Sequence, residues 1–314
     1  MQTVSVILCT YNGARFLREQ LDSILQQTYP LLEIIIQDDG STDDTVAICR
    51  SYAEQHPNIK VFENERNLGF NLNFKSAAMR AKGDFVAISD QDDVWMPYKI
   101  ETLVGCIGNH DICFSPHLRG KSPEQSHTVS PQYSLEALLF GGFAGHTMLL
   151  RRAFIQKEEY WIDHIHYDWS LAICAQLNGG IAMADKPLNW HREHDASACA
   201  VENKTHGKPA GKPTWQPYWY GLRNYRRLQE KPNWKALYTY IYFHTKTPRH
   251  RRAHAMARCL LSRRLTALLR LCTICMIYRK SIYYSKNQRG AKALLRGFFY
   301  PFIFAYGNIQ YDLD

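Results

Sequence analysis

The chain has 314 residues, 46% of them hydrophobic, and a formal charge of +9, which allows one large α/β domain with a smaller appendage and excludes a chain without a core. The net charge hides an asymmetry: the stretch from Lys231 to Gln310 holds sixteen Lys and Arg and no Asp or Glu, while residues 1–230 hold 22 basic and 27 acidic residues. An acidic body with a basic tail points to a polyanionic partner, either nucleic acid or an anionic membrane face.

Val4 to Cys9 is a short β-branched run ending at Thr10-Tyr11-Asn12-Gly13, which predicts a buried strand followed by a turn. Phe16, Leu17, Leu21, Ile24 and Leu25 recur at helical spacing until Tyr29-Pro30. Leu32 to Ile36 predicts the second strand, ending in Asp38-Asp39-Gly40-Ser41-Thr42-Asp43-Asp44-Thr45, and a helix through Val46, Ile48, Cys49 and Tyr52 follows. A third strand at Ile59–Phe62, a helix over 71–81 and a fourth strand at Phe85–Ile88 complete the series. Strands alternating with helices of this length predict βαβ units and a mostly parallel sheet. Ligands bind such sheets at the carboxyl ends of the strands, where strand order switches. Three loops are expected to converge there, and no Gly-x-Gly-x-x-Gly or P-loop motif accompanies them.

The third of these loops, Asp90-Gln91-Asp92-Asp93-Val94-Trp95, packs three carboxylates into four positions. Such density where a buried strand ends calls for a cation, and a Mg2+ or Mn2+ ion shared with substrate phosphates is the economical reading. A solvated acidic turn, with Asp93 capping the next helix, is the alternative. Beyond it, residues 99–107 read as a helix and Asp111 to Ser115 as a strand. Residues 116–132, rich in Pro, Ser, His and Lys, read as a flexible loop and a candidate lid. Gly180 to Met183 carries a further strand signal.

The segments Thr10 to Gly13, Asp38 to Thr45 and Ser89 to Trp95, in this order and spacing, resemble the family 2 glycosyltransferases of the GT-A fold. The Asp-Gln-Asp-Asp-Val-Trp form resembles the bacterial surface-polysaccharide branch that includes many rhamnosyltransferases. The resemblance extends to about residue 200. It implies a Rossmann-like GT-A domain over 1–200, with a nucleotide-binding half at 1–110 and an acceptor half at 111–200, followed by a basic, mainly helical extension at 201–314.

Carried over position by position, the resemblance implies that Thr10, Tyr11 and Asn12 border the nucleotide, with Tyr11 offering a stacking face. Asp39 would accept a hydrogen bond from the base and Asp38 would hold its loop. Asp90 would face the ribose or a metal-bound water, Asp92 would be the direct metal ligand, and His194, in Trp190-His191-Arg192-Glu193-His194-Asp195-Ala196-Ser197, would complete the metal shell or contact the diphosphate. Arg192 is the alternative there. Phe140 to Leu150 resembles the turn and strand beneath the donor sugar, where Gly145 allows close backbone approach. Asp168, opening an apolar helix, matches the general base, with Asp163 as fallback; an ordinary helix-capping acid is the alternative for Asp168, and the need of sugar transfer for a positioned proton acceptor favours the base. The resemblance implies single-displacement, inverting transfer from a dTDP- or UDP-sugar, with dTDP-rhamnose foremost, to a saccharide or lipid-linked saccharide.

The tail alternates charge with apolar residues, as in Arg263 to Leu271 and Arg296 to Phe304, a pattern of interfacial helices. A basic helical subdomain packed on the body is the equal alternative. The uncharged run Leu271 to Tyr278 is far short of the ~20 residues of a spanning helix. The aromatic group Trp215, Tyr218, Trp219 and Tyr220 reads as an acceptor wall, a dimer contact or a membrane belt. Scattered, odd-numbered cysteines and an N-terminus that enters a strand directly predict a reduced, cytoplasmic protein, peripheral on the inner membrane face if it touches a membrane. The rival readings are a sugar-nucleotide pyrophosphorylase, for which a Gly-rich phosphate loop is missing, a nucleic-acid-binding protein, and a catalytically silent scaffold.

Overall fold

A computed structural model describes residues 1–195, 216–283 and 289–307. It divides into two compact units. The first comprises 1–130, 143–161 and 166–193, and the second 131–142, 162–165 and 194–314.

The first unit opens with β1 (Val4–Thr10), α1 (Ala14–Leu25), β2 (Glu33–Asp38), α2 (Thr45–Gln55), β3 (Ile59–Glu63), α3 (Phe70–Arg80) and β4 (Phe85–Ser89). Every residue of β1, β2 and β4 is buried, as expected of parallel strands covered on both faces. α1 turns Leu17, Leu21 and Ile24 inward, so its apolar stripe joins the core formed by Val4, Val6, Leu8, Ile34 and Ile36. The buried Glu33 carboxylate on β2 accepts hydrogen bonds from Ser5 Oγ at 2.8 Å, Lys60 Nζ at 2.7 Å and the Lys82 amide at 2.8 Å.

The chain continues with β5 (Val94–Trp95), α4 (Lys99–Cys106), β6 (Ile112–Phe114), β7 (His117–Gly120) and β8 (His127–Val129). A short helix α5 (Leu135–Leu138), which belongs to the second unit, precedes β9 (Met148–Arg151), α6 (Arg152–Ile155), α7 (Tyr167–Leu177), β10 (Ile181–Met183) and β11 (Asn189–Arg192). The main sheet has the order β10-β6-β9-β4-β1-β2-β3. It is parallel except at β9, which runs antiparallel to both neighbours. Since β2 and β3 extend to one side of β1 and β4 lies on the other, strand order switches between β1 and β4, and the loops after Thr10, Asp38 and Ser89 lie at that end.

A second sheet, β5-β11-β7-β8, corrects the expectation of a flexible loop over 116–132. β11 pairs antiparallel with β5, placing Asn189 opposite Trp95, and parallel with β7, placing His191 opposite Arg119. β8 closes the edge against β7. Strand signals there were too short to read locally, because the partner of β7 lies some seventy residues further along the chain.

The second unit adds α8 (Gln216–Leu228), α9 (Pro232–His244), α10 (Arg251–Leu261), α11 (Leu265–Ile277), α12 (Arg279–Ile282), α13 (Gly290–Phe298) and α14 (Tyr300–Gly307). Trp234, Tyr238, Leu237, Ile241, Met256 and Leu260 form its centre. Two of its buried polar groups donate to backbone: Trp234 Nε1 to Leu260 O at 3.0 Å and Tyr238 Oη to Leu139 O at 2.7 Å. No described helix is long and apolar enough to cross a membrane. Of the aromatic group noted from the sequence, Trp215 lies outside the described residues, while Trp219 is 69% exposed on α8.

Candidate active site

The three loops at the switch point are tied to one another. Thr10 Oγ1 donates to Asp38 Oδ1 at 2.7 Å, and Asp38 also accepts from the amides of Gly40 and Ser41 and from Ser41 Oγ. Asn12, whose φ of 48° suits a residue tolerant of the left-handed region, donates its amide to Ser41 Oγ and accepts the Thr42 amide at its side chain. Gln91 bridges the first and third loops: its Oε1 accepts the Tyr11 amide at 2.9 Å and its Nε2 donates to Tyr11 O at 3.0 Å. A Cβ at Gly13 would lie 2.1 Å from Gln91 Oε1, so glycine is required beneath that bridge. Tyr11 is left half exposed, while Asp39 accepts hydrogen bonds from Asn64, Leu68 and Gly69, which fixes the 64–69 segment beside it. The arrangement brings Thr10, Tyr11, Asn12, Asp38 and Asp39 together at one edge of the sheet.

The acidic loop runs into β5, and the second sheet carries its last carboxylate inward. Asp93 is fully buried, 2.9 Å from His146 Nδ1 and 2.9 Å from His191 Nδ1, with Asn189 Nδ2 at 3.0 Å. Asp93 caps no helix, since α4 starts after Tyr98 without a side-chain cap. The two imidazoles are stacked, with centroids 4.8 Å apart and planes 7° apart, and His117 stands edge-on to His146 at 5.0 Å. Burial works against the charge on Asp93, yet the two histidines hold its carboxyl well below the usual range, and Asp93 in turn raises His191 against the effect of burial. Burial pushes Asp90 up to about 7, helped by Asp93 and Asp92 and opposed by His146 and His191. His117 is pushed down to about 3 by burial and by the neighbouring imidazoles.

Among the described residues, Asp93, His146 and His191 offer ligand atoms within 4.8 Å of one another, close enough to share one ion. The donor set fits a divalent metal, and so does the hydrogen bonding. Asn189 Oδ1 and His117 Nδ1 are buried without a partner, and Asn189 Nδ2 and the Asp93 carboxylate both approach His146 Nδ1, a crowding of polar atoms that one bound cation and its waters would resolve. Asp90, Asp92 and His194 are not in this trio, and His194 falls in the second unit. Arg192 donates to Asp92 O at 3.3 Å and pairs with Glu19.

Beneath the trio lies a residue that the sequence reading passed over. Lys99 is fully buried on α4, donates from Nζ to His146 O at 2.6 Å, and stands 4.0 Å from the Trp95 ring centroid. Burial pushes its ammonium down to about 7 while Asp93 and Asp90 pull it up.

Asp168 joins the trio through Gly145. Its carboxylate, in the first turn of α7, accepts the Trp169 amide at 2.7 Å and the Gly145 amide. Burial raises its pKa above the usual carboxylate range, against the pull of His166 and those amides. A Cβ at Gly145 would lie 2.1 Å from Tyr167 Oη, and Tyr167 is itself buried, 4.5 Å from the Phe74 centroid. The fallback Asp163 is exposed in the second unit.

A family model described as glycosyl transferase family 2 matches residues 5–156. The chain carries a family 2 glycosyltransferase domain. An uncharacterized glycosyltransferase of Nostoc sp. is 30% identical to it over 215 residues, 62% of this chain and 66% of that protein. Three mycobacterial relatives at 28% identity are covered over 59% of their length, so the chain spans less than two thirds of these relatives. Two solved structures share the GT-A fold of the glycosyltransferase domain at 19% identity and a TM-score of 0.53. One is S. aureus TarS in complex with UDP-GlcNAc, matched over 89% of this chain and 81% of that one. The other is a mannosyltransferase of Pyrobaculum calidifontis in complex with GDP-Man and Mn2+, matched over 98% and 86%.

Proposed function

We infer that the protein is an inverting, metal-dependent glycosyltransferase that moves a sugar from a nucleoside-diphosphate sugar to a hydroxyl of a saccharide or lipid-linked saccharide in bacterial surface-polysaccharide synthesis. The observation that carries this reading is the junction at Gly145-His146, where a raised carboxylate, Asp168, and the Asp93, His146 and His191 trio meet on adjacent residues. The nucleotide-sugar complexes of TarS and the mannosyltransferase support the donor class.

In this reading the nucleotide lies against Thr10, Tyr11 and Asn12 and against Asp38 and Asp39, with Tyr11 free to stack on the base. Asp90 faces the ribose, Asp92 the diphosphate and its cation, and the Gly145 backbone the donor sugar. Two imidazoles and one carboxylate form a donor set better suited to Mn2+ than to Mg2+, which prefers oxygen ligands. The bound ion supplies neutralisation of the charge that gathers on the departing nucleoside diphosphate. Asp168 takes the proton of the acceptor hydroxyl as it attacks the anomeric carbon, and its raised pKa brings it nearer the working pH of a general base. Lys99 holds His146 by its carbonyl and offsets the buried charge of Asp93. The Asp-Gln-Asp-Asp-Val-Trp form supports dTDP-rhamnose as donor, a UDP-sugar being the alternative, and the reaction faces the cytoplasm at the inner membrane surface.

The test is to incubate the full chain with dTDP-, UDP- and GDP-sugars, with Mn2+, Mg2+ or EDTA, and to measure release of nucleoside diphosphate. One donor should be turned over with Mn2+ and spared in EDTA. Release from no donor under any metal condition, by a chain that remains folded, would remove the transferase reading.

A further inference from the structure

The basic C-terminal stretch divides in the structure into two kinds of helix. Its most apolar segment, α14, buries Phe302, Phe304 and Ala305, and a Cβ at Gly221 of α8 would lie 2.3 Å from Phe302 O, so this helix is core. α11 is built differently. Leu271, Cys272 and Cys275 are buried on one side, yet Leu265, Leu269 and Ile277 are 65%, 49% and 57% exposed. These three stand at positions i, i+4 and i+12, and at roughly 100° per residue they fall within an arc of about 140° that also holds Thr266, Thr273, Arg270 and the half-buried Met276. This exposed face meets the packed side of the helix at Met276, so the helix carries apolar residues on both faces.

Along the sequence, the charges that flank this stripe are of one sign. Arg263 and Arg264 precede α11 and Lys280 follows it, and no Asp or Glu occurs between Lys231 and Gln310. Arg263 pairs with Glu230, the nearest acid before that stretch. α13 lies against α11, because a Cβ at Gly297 would be 2.9 Å from Met276 Cα. It exposes Leu294 and Leu295, at 41% and 59%, between Lys292 and Arg296.

We propose that the exposed face of α11, with the adjoining residues of α13, docks on an anionic phospholipid bilayer. An interfacial helix buries leucines at the headgroup boundary while Lys and Arg stay with the lipid phosphates. A nucleic acid would engage the cations and leave the leucines in water, and a second copy of this face would bring cation against cation. The thirteen residues of α11 extend only about 20 Å at 1.5 Å per residue, so the helix lies on the surface and does not span it.

The inference names the surface behind the inner-membrane placement above, but its test needs no sugar donor. The full chain is co-sedimented with vesicles of phosphatidylcholine alone and of phosphatidylcholine with 30% phosphatidylglycerol, at 0.1 and 0.5 M NaCl; these conditions are set at roughly one and less than half of a ten-ångström Debye length. Binding to the anionic vesicles is expected, weakening at high salt. Leu265→Ser with Leu269→Ser should lower the partition coefficient at least tenfold, while the exposed Leu32→Ser of the first unit leaves it unchanged. Both variants should remain folded, since none of the three residues is in a core. Equal binding to neutral and anionic vesicles, or undiminished binding by the double variant, overturns the proposal. So does binding of duplex DNA in place of vesicles, or a dimer that the double variant dissociates. Nucleotide binding that persists through any of these results leaves the transferase reading intact.

Discussion

Gly145→Ala is the substitution that most directly tests how the base and the histidine trio are held together. The added methyl would sit 2.1 Å from Tyr167 Oη, 2.7 Å from Cζ and 2.9 Å from Cε2. The ring cannot retreat cheaply, because Phe74 and Trp161 flank it at 4.5 and 5.9 Å and the Tyr167 amide is anchored to Asn71 Oδ1 at 2.8 Å. Overpacking of this kind costs about 1–3 kcal/mol. In a unit of this size each kcal/mol moves the midpoint by roughly 2–4 °C, so the melting temperature should fall by about 2–12 °C. Tyr167→Phe in the same chain removes the shortest contact and leaves the ring carbons in place, so it should recover part of the loss, about 1 kcal/mol of coupling. Thermal unfolding of the two single variants and the double variant measures this. The displaced Gly145 amide would also relax its hydrogen bond to Asp168, so the carboxyl should rise further. Transfer, which needs the deprotonated base, should then reach half its maximum at a higher pH than in wild type. Gly145→Ala within 0.5 kcal/mol of wild type, or strictly additive losses, would refute this account of the junction.

Asp168→Asn should lower the transfer rate by roughly 10²–10⁴ while leaving stability equal or higher, because burial already disfavours the carboxylate it replaces; parallel rate and melting measurements separate the two effects. Glu33 behaves oppositely: burial would raise its pKa, but hydrogen bonds from Lys60, Ser5 and the Lys82 amide outweigh that and hold it below the usual range. Its contribution is therefore present above the unfolded pKa, about 4.3, and is lost as pH falls through the lower folded value. Glu33→Gln should cost about 2 kcal/mol at pH 7, a gap that urea titrations should find narrowing below about pH 4.3.

Much of the first unit could be read from the chain because its strands are continuous apolar runs and its helices carry clear stripes, as at Leu17, Leu21 and Ile24. The convergence of the loops at Thr10, Asp38 and Asp90 followed from their positions after strands. What escaped was everything that depends on pairing at a distance. β7 and β8 are too short to declare themselves, and they become strands because Asn189–Arg192 arrives beside them. The same arrival sets His191 against Asp93, a contact spanning 98 positions of sequence. Three adjacent acids cannot be ranked from spacing alone; burial within the second sheet singles out Asp93. His146 sat in a glycine-rich run read for its backbone, and Lys99 reads as an ordinary surface residue of an amphipathic helix until the structure places it over Trp95. In the tail, the sequence pattern left the Arg296 to Phe304 segment either interfacial or packed; Phe302 and Phe304 are interior, and exposed leucines lie on α11 and α13.

The central claim is that Asp93, His146 and His191 hold a metal on which nucleotide binding depends. The direct measurement is the thermal shift of wild type and Asp93→Asn with UDP, dTDP or GDP, in Mn2+, Mg2+ or EDTA. At about 100 times its dissociation constant a ligand adds about 2.7 kcal/mol to the folded state. One nucleotide should stabilise the wild type with Mn2+, less with Mg2+ and not in EDTA, and Asp93→Asn should abolish the shift while remaining folded. A shift that survives EDTA or Asp93→Asn undiminished would contradict that claim.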